Sequence, residues 1–372
     1  MSVESSAGVF VPPPYPYDLL DEIAAVADAH DGGKVDLSIG TPCDPPPPAV
    51  LAALAAGDTA RGYPPSIGTA AFRRAAAHWV ERRLGAIVAA DTEVAACVGT
   101  KEFVASLPQY LHLRTPDRDT VLYPAVSYPS YEMGATLAGL RAVPYRSLAE
   151  VDERDAARAL VVWVNSPANP TGELDDLPAA AAWGRARGVP VASDECYAEF
   201  TWDPAGAAGP TTILREGPAG VLAVHSLSKR DNFAGARIGF YAGDPELVHY
   251  LREVRKHAGL MPSGPVQAAA VVALGDDAHV EQQRQRYLAR LRRLIEVLAA
   301  AGYQASLPRG AFYLWVPAPD GDAWAAARDL AAKDGVVVSP GEFYGRHSAG
   351  YFRVAAVQPD DRIELAATRV GA

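Results

Sequence analysis

The run Ala159-Leu160-Val161-Val162-Trp163-Val164 limits the fold of this chain more than any other stretch. A strand that is apolar at every position has to be covered on both faces, and this is the pattern of a central strand in a parallel sheet under helices. Shorter runs of the same kind recur: Glu93-Val94-Ala95-Ala96-Cys97-Val98, Thr120-Val121-Leu122-Tyr123, Pro190-Val191-Ala192-Ser193 and Val221-Leu222-Ala223-Val224. Helical patterns lie between them, over 69–84 and 177–187 for example. The alternation predicts an α/β fold with a mainly parallel sheet covered on both sides.

Past Asp244 the pattern changes. Helical stretches at 245–256, 265–274, 278–301 and 323–332 accompany strand-like runs at 311–315, 336–338 and 351–354. These predict a second, smaller α+β domain. The arginines at 284, 286, 290, 292 and 293 are expected on a solvated helix face. At the other end, the proline-rich Val11–Tyr17 reads as an extended arm before a helix at 18–29. The expected organisation is an arm with part of the small domain over 1–45, a large domain over 46–255 and a small C-terminal domain over 256–372.

A formal net charge of -10 argues against nucleic acid as the main partner. No stretch is long and apolar enough to span a bilayer, and the first residues lack a signal-peptide pattern, so a cytoplasmic protein is expected. Cys43, Cys97 and Cys196 are too few and too scattered for a disulfide framework and form no Cys-x-x-Cys pair. They are expected as buried free thiols, with no metal site.

In an open α/β sheet, ligands collect at the C-terminal ends of the strands. Polar residues stand there repeatedly in this chain. Gly99-Thr100-Lys101 follows one strand and opens a helix, offering backbone N–H groups and a hydroxyl to an anion. Asn165-Ser166-Pro167-Ala168-Asn169-Pro170-Thr171-Gly172 follows the central strand, and Asp194-Glu195-Cys196-Tyr197 the next. A buried aspartate is costly without a cationic partner. His225-Ser226-Leu227-Ser228-Lys229-Arg230 ends the fourth run, with Arg237 seven residues on. A strand-end lysine beside hydroxyls and an arginine suits an amine that reacts with an aldehyde next to a phosphate, the combination that pyridoxal 5'-phosphate requires. Taken singly, each of these is also ordinary turn or N-cap chemistry.

Taken in order, they resemble the class I/II aminotransferases of pyridoxal-phosphate fold type I, from Gly40-Thr41-Pro42 to the Arg353 strand. The resemblance implies roles residue by residue. Lys229 is similar to the Schiff-base lysine, and Asp194 to the aspartate that keeps the pyridine nitrogen protonated. Asn169 and Tyr197 match the pair on the ring oxygen, and Tyr128 the aromatic stacked on the ring. Thr100, Lys101 through its backbone, Ser226, Ser228 and Arg237 match the phosphate group of residues. Tyr63 resembles the tyrosine that reaches the neighbouring subunit's phosphate, which implies a homodimer. Gly40, Asn169 and Arg353 match substrate-binding positions, Arg353 gripping the α-carboxylate with its planar fork.

The segments 230–235, 255–267 and 273–280 further resemble the actinobacterial succinyldiaminopimelate aminotransferases. That implies ping-pong transamination between glutamate/2-oxoglutarate and the succinylated diaminopimelate pair, on the way to lysine. The same constellation also serves aminotransferases of aspartate or aromatic specificity, carbon–sulfur lyases and, more remotely, a non-enzymatic pyridoxal-phosphate-binding regulatory domain.

Overall fold

The computed structural model describes residues 10–56, 61–202 and 210–372. After a short strand β1 (Val35–Asp36), the apolar runs form β2 (Val94–Cys97), β3 (Thr120–Pro124), β5 (Ala159–Asn165), β6 (Val191–Asp194) and β7 (Val221–Ser226), and the chain adds β4 (Arg141–Tyr145) and β8 (Gly239–Gly243). The seven strands from β2 onward make one sheet in the order β2-β8-β7-β6-β5-β3-β4. β8 is antiparallel to both neighbours and every other pairing is parallel. All of β5 is buried, as its composition predicts.

Alternate side chains of the sheet feed two apolar layers. Val161, Trp163, Ala192, Leu222 and Val224 face one, with Phe103 and Leu107. Val164, Val191, Val221 and Ala223 face the other, with Phe72, Trp79 and Leu177. The register pairs Asn165 with Asp194, Asp194 with Val224, and both Ser226 and Cys97 with Gly239. The C-terminal ends of β2, β5, β6 and β7 therefore share one edge of the sheet.

The chain divides into two compact units, one taking the described residues of Thr41–Leu288 and Pro308–Ala311, with the large sheet, and the other those of Met1–Gly40, Ala289–Leu307 and Phe312–Ala372. In the second unit β12 (Tyr351–Ala355) lies between β11 (Ser339–Pro340) and β9 (Tyr313–Pro317), antiparallel to both. There β1 pairs in parallel with β10 (Val336–Val337).

Local boundaries follow capping chemistry. Thr69 Oγ1 accepts from Phe72 N at 3.2 Å and starts the helix Ala70–Trp79, which passes into a π turn at Val80–Leu84 and stops at left-handed Gly85. The helix expected at 18–29 begins as a 3-10 turn, Pro16–Leu20, and becomes α-helical over Asp21–Asp28. Two expectations are corrected. Arg290 is not on a solvated face but is 4% exposed, with its Nε donating to Asp360 Oδ1 at 2.6 Å. Of the cysteines expected to be buried, Cys97 is, Cys196 is half-buried in the turn after β6, and Cys43 is exposed in the loop before Pro45–Pro48. Among the described residues no helix is long and apolar enough to cross a membrane.

Candidate active site

Asp194 is the last residue of β6 and is buried. Its Oδ2 accepts the Tyr131 hydroxyl at 2.9 Å and its Oδ1 accepts Cys196 N at 3.2 Å. Burial pushes the carboxyl up from its ordinary range, while hydrogen bonds from Cys196 and Tyr131 and the charge of Lys229 pull it back. Lys229 is thus near enough to act on it electrostatically. A carboxyl so placed ionises readily once a cation is set beside it, so it fits a protonated ring nitrogen.

The loop after β5 is tied to the same strand end. Asn165 Nδ2 donates to the Asp194 carbonyl at 2.8 Å, and Asn165 Oδ1 accepts Asn169 N at 2.8 Å. Gly172 holds φ +71, and a Cβ there would come 2.6 Å from the Gly310 carbonyl, so the turn needs glycine. Ser166–Pro167 and Asn169–Pro170 are cis. Asn169 is buried on this loop, and Tyr197 is buried just past Asp194.

β7 ends at Ser226, whose Oγ accepts Ser228 N at 3.1 Å and caps the short turn Leu227–Arg230 that carries Lys229. Leu227, Ser228 and Arg230 are buried and Lys229 is half-buried. Arg230 anchors the turn from below, donating to Asp231 Oδ1 at 2.8 Å and to the Ala273 carbonyl at 2.7 Å, with Glu199 and Asp277 at 3.4 Å. The lysine is presented on a fixed base.

Next along the edge, Gly99 (φ +74) precedes the helix Thr100–Arg114. A Cβ on Gly99 would sit 2.2 Å from Arg237 Nη2, so the guanidinium lies directly over the start of that helix. Arg237 itself has φ +56, with Nη1 on the Ala234 carbonyl at 2.9 Å. A guanidinium beside the first N–H groups of a fifteen-residue helix is a ready anion site. Thr100 Oγ1 accepts from Cys196 Sγ at 3.3 Å, which links this site to the Asp194 turn. The Lys101 side chain is exposed, so only its backbone faces this role. Tyr128 follows β3, half-buried, with its ring edge-on to Tyr131 at 6.0 Å.

Thr100, Lys101, Tyr128, Asn169, Asp194, Tyr197, Ser226, Ser228, Lys229 and Arg237 therefore all lie at or beside strand ends in the large-sheet unit. Tyr63 differs, with a side chain 97% exposed. Gly40 and Arg353 belong to the other unit. There Arg353, 1% exposed on β12, lies 4.1 Å from the Tyr313 ring centroid and 4.8 Å from that of Tyr344. Its Nη2 donates to the Ser38 carbonyl at 2.6 Å and to Tyr17 Oη at 3.1 Å. Gly40 is buried where a Cβ would meet the Tyr313 hydroxyl.

Sequence reasoning passed over Tyr131, Cys196, Glu195 and His225. Tyr131 had one usable signal, its spacing of three from Tyr128 at the start of a helix, which brings the two rings together. Glu195 and His225 had none beyond their adjacency to Asp194 and Ser226.

Comparison with known proteins gives the family. Residues 32–370 match the family described as aminotransferase class I and II. A probable aminotransferase of Mycobacterium tuberculosis is 42% identical over 370 residues, covering 96% of this chain and 85% of its own length. The 4-dedimethylamino-4-oxo-anhydrotetracycline transaminase of Streptomyces rimosus is 43% identical over 366 residues, covering 96% and 99%. Among solved structures, a probable N-succinyldiaminopimelate aminotransferase of Thermus thermophilus superposes with a TM-score of 0.84 at 30% identity, covering 95% of this chain and 98% of its own.

Proposed function

The chain belongs to the class I and II aminotransferases, enzymes dependent on pyridoxal phosphate, and from that premise we propose that Lys229 carries the cofactor and moves the proton in amino-group transfer between glutamate and a succinylated keto acid of the diaminopimelate series. The observation that carries the reading is that buried Asp194 and Lys229 stand at neighbouring strand ends, beside an arginine set over a helix start. The structural likeness to a probable N-succinyldiaminopimelate aminotransferase supports the substrate.

In this reading the residues divide the work. Arg237, the hydroxyls of Thr100, Ser226 and Ser228 and the backbone N–H of Lys101 hold the phosphate. Asp194 holds the ring nitrogen, Asn169 and Tyr197 the ring oxygen, and Tyr128 covers one ring face. When bound, pyridoxal phosphate supplies the electron sink for the pair left at the substrate Cα. Lys229 Nζ takes the proton from the substrate Cα as general base and would release it as general acid to the cofactor's C4′ carbon rather than to Cα. Arg353 takes the substrate carboxylate with two parallel N–H bonds, and Gly40 leaves room beside it. Tyr63, exposed in the single chain, serves the phosphate of a partner subunit in a homodimer.

Steady-state assays with glutamate and a panel of keto acids test the substrate. The succinylated keto acid should give the highest kcat/KM, and Lys229→Ala should lose on the order of 10³-fold in kcat. Equal activity on small aromatic keto acids, with none on the succinylated one, would contradict the assignment. One observation favours a second reading, a bulkier aromatic ketone: Trp315 and Tyr351 stack 5.3 Å apart in the Arg353 unit, and the Streptomyces rimosus relative is named for a polycyclic ketone. The panel therefore includes one.

A further inference from the structure

Tyr131 lies on the helix Ser130–Leu137 and is fully buried, with its hydroxyl on Asp194 Oδ2 at 2.9 Å. Its ring stacks on Trp163 of β5 at 5.1 Å with 22° between planes, and meets Tyr128 edge-on. Packing on two sides fixes the phenol and so fixes the direction of its O–H. Burial and the neighbouring Asp194 charge push its own ionisation well up, so it stays a donor at any working pH.

We propose that Tyr131 is a positioning residue for transamination: it holds the Asp194 carboxylate in one orientation and keeps it from taking the proton of the cofactor's ring nitrogen. The proposal rests on the reading of Asp194 given above. A carboxylate oxygen accepts about two hydrogen bonds. Cys196 N holds Oδ1 and Tyr131 holds Oδ2, so both oxygens are anchored. A proton shared between a carboxylate and a ring nitrogen goes to the stronger base. A hydrogen bond to the anion stabilises it and weakens it as a base. With Tyr131 in place, the proton therefore stays on the nitrogen, where catalysis needs it. Tyr131→Phe keeps the ring, the stack and the burial, and removes the donor alone.

The test uses the full chain reconstituted with pyridoxal phosphate labelled with 15N at the ring. The ring-nitrogen chemical shift reports its protonation, and fluorescence titration of the apoprotein gives cofactor affinity. Asp194→Asn should move the resonance to the unprotonated position. Tyr131→Phe should move it part of the way and weaken cofactor binding about tenfold, the scale of one charge-assisted hydrogen bond. Placing 3-fluorotyrosine at position 131, a stronger donor of nearly the same shape, should move the resonance the opposite way and serves if the phenylalanine variant does not fold. A role in packing alone would lower the melting temperature and leave the resonance in place. An unmoved resonance in the position-131 variants, with Asp194→Asn shifted, would overturn the role of Tyr131 and leave Asp194 intact. An unmoved resonance in Asp194→Asn would overturn the Asp194 reading and this proposal with it.

Discussion

Glu195 and His225 sit side by side at the ends of β6 and β7, with 3.3 Å between Oε2 and Nε2, and both are buried. Burial pushes Glu195 up to about 7 and His225 down to about 3. Between those values both groups are neutral, a carboxylic acid beside an imidazole rather than an ion pair. The two groups act oppositely on stability. Glu195 titrates above its ordinary 4.5, so its contribution is complete below pH 4.5 and lost as pH rises through 7. His225 titrates below its ordinary 6.5, so its contribution is complete above pH 6.5 and lost as pH falls through 3. Glu195→Gln removes the first component alone. The stability advantage of the unmodified protein over this variant should widen by on the order of 3 kcal/mol from pH 8 to pH 4.5, measured by urea denaturation. A constant gap would mean that Glu195 is ionised throughout.

At the scale of elements, the start of the helix Thr100–Arg114 carries the phosphate reading. Gly99 has φ +74 and ψ 147, a conformation that side chains with a Cβ rarely adopt. Gly99→Ala would add strain of about 1–3 kcal/mol and drive Arg237 off the helix end. The expected result is at least tenfold weaker cofactor binding with little loss of helix content, read by fluorescence titration and circular dichroism. Unchanged affinity would place the phosphate elsewhere. The elements differ in how far their sequences revealed them. β5 is apolar throughout and was plain. β4 is an edge strand with Arg141 and Pro144 exposed, so it lacks an apolar run. β8 holds Gly239 and Gly243, residues that weaken any strand signal. Its antiparallel course is set by pairing with β2 and β7, which no local pattern records.

Across the whole molecule, what the sequence made legible was the order of strand-end residues, because the C-terminal edge of a parallel sheet gathers them whatever the intervening helices do. Asp194, Asn169, Lys229 and Arg237 could be collected on that ground alone. What it hid were contacts made at long separation, such as Tyr131 on Asp194 or the Arg230 network that fixes the base of the Lys229 turn. The burial of Arg290 was hidden too, since a helical run of arginines looks solvated until its partner Asp360 is found. The central claim is that Lys229 carries the cofactor. The chain has five lysines, at 34, 101, 229, 256 and 333, so the claim can be read residue by residue. Borohydride reduction of the holoenzyme, followed by proteolysis and mass spectrometry, should find the reduced cofactor on the Lys229 peptide alone. Cofactor on another lysine, or on none while Lys229→Ala keeps full transaminase activity, would contradict the account.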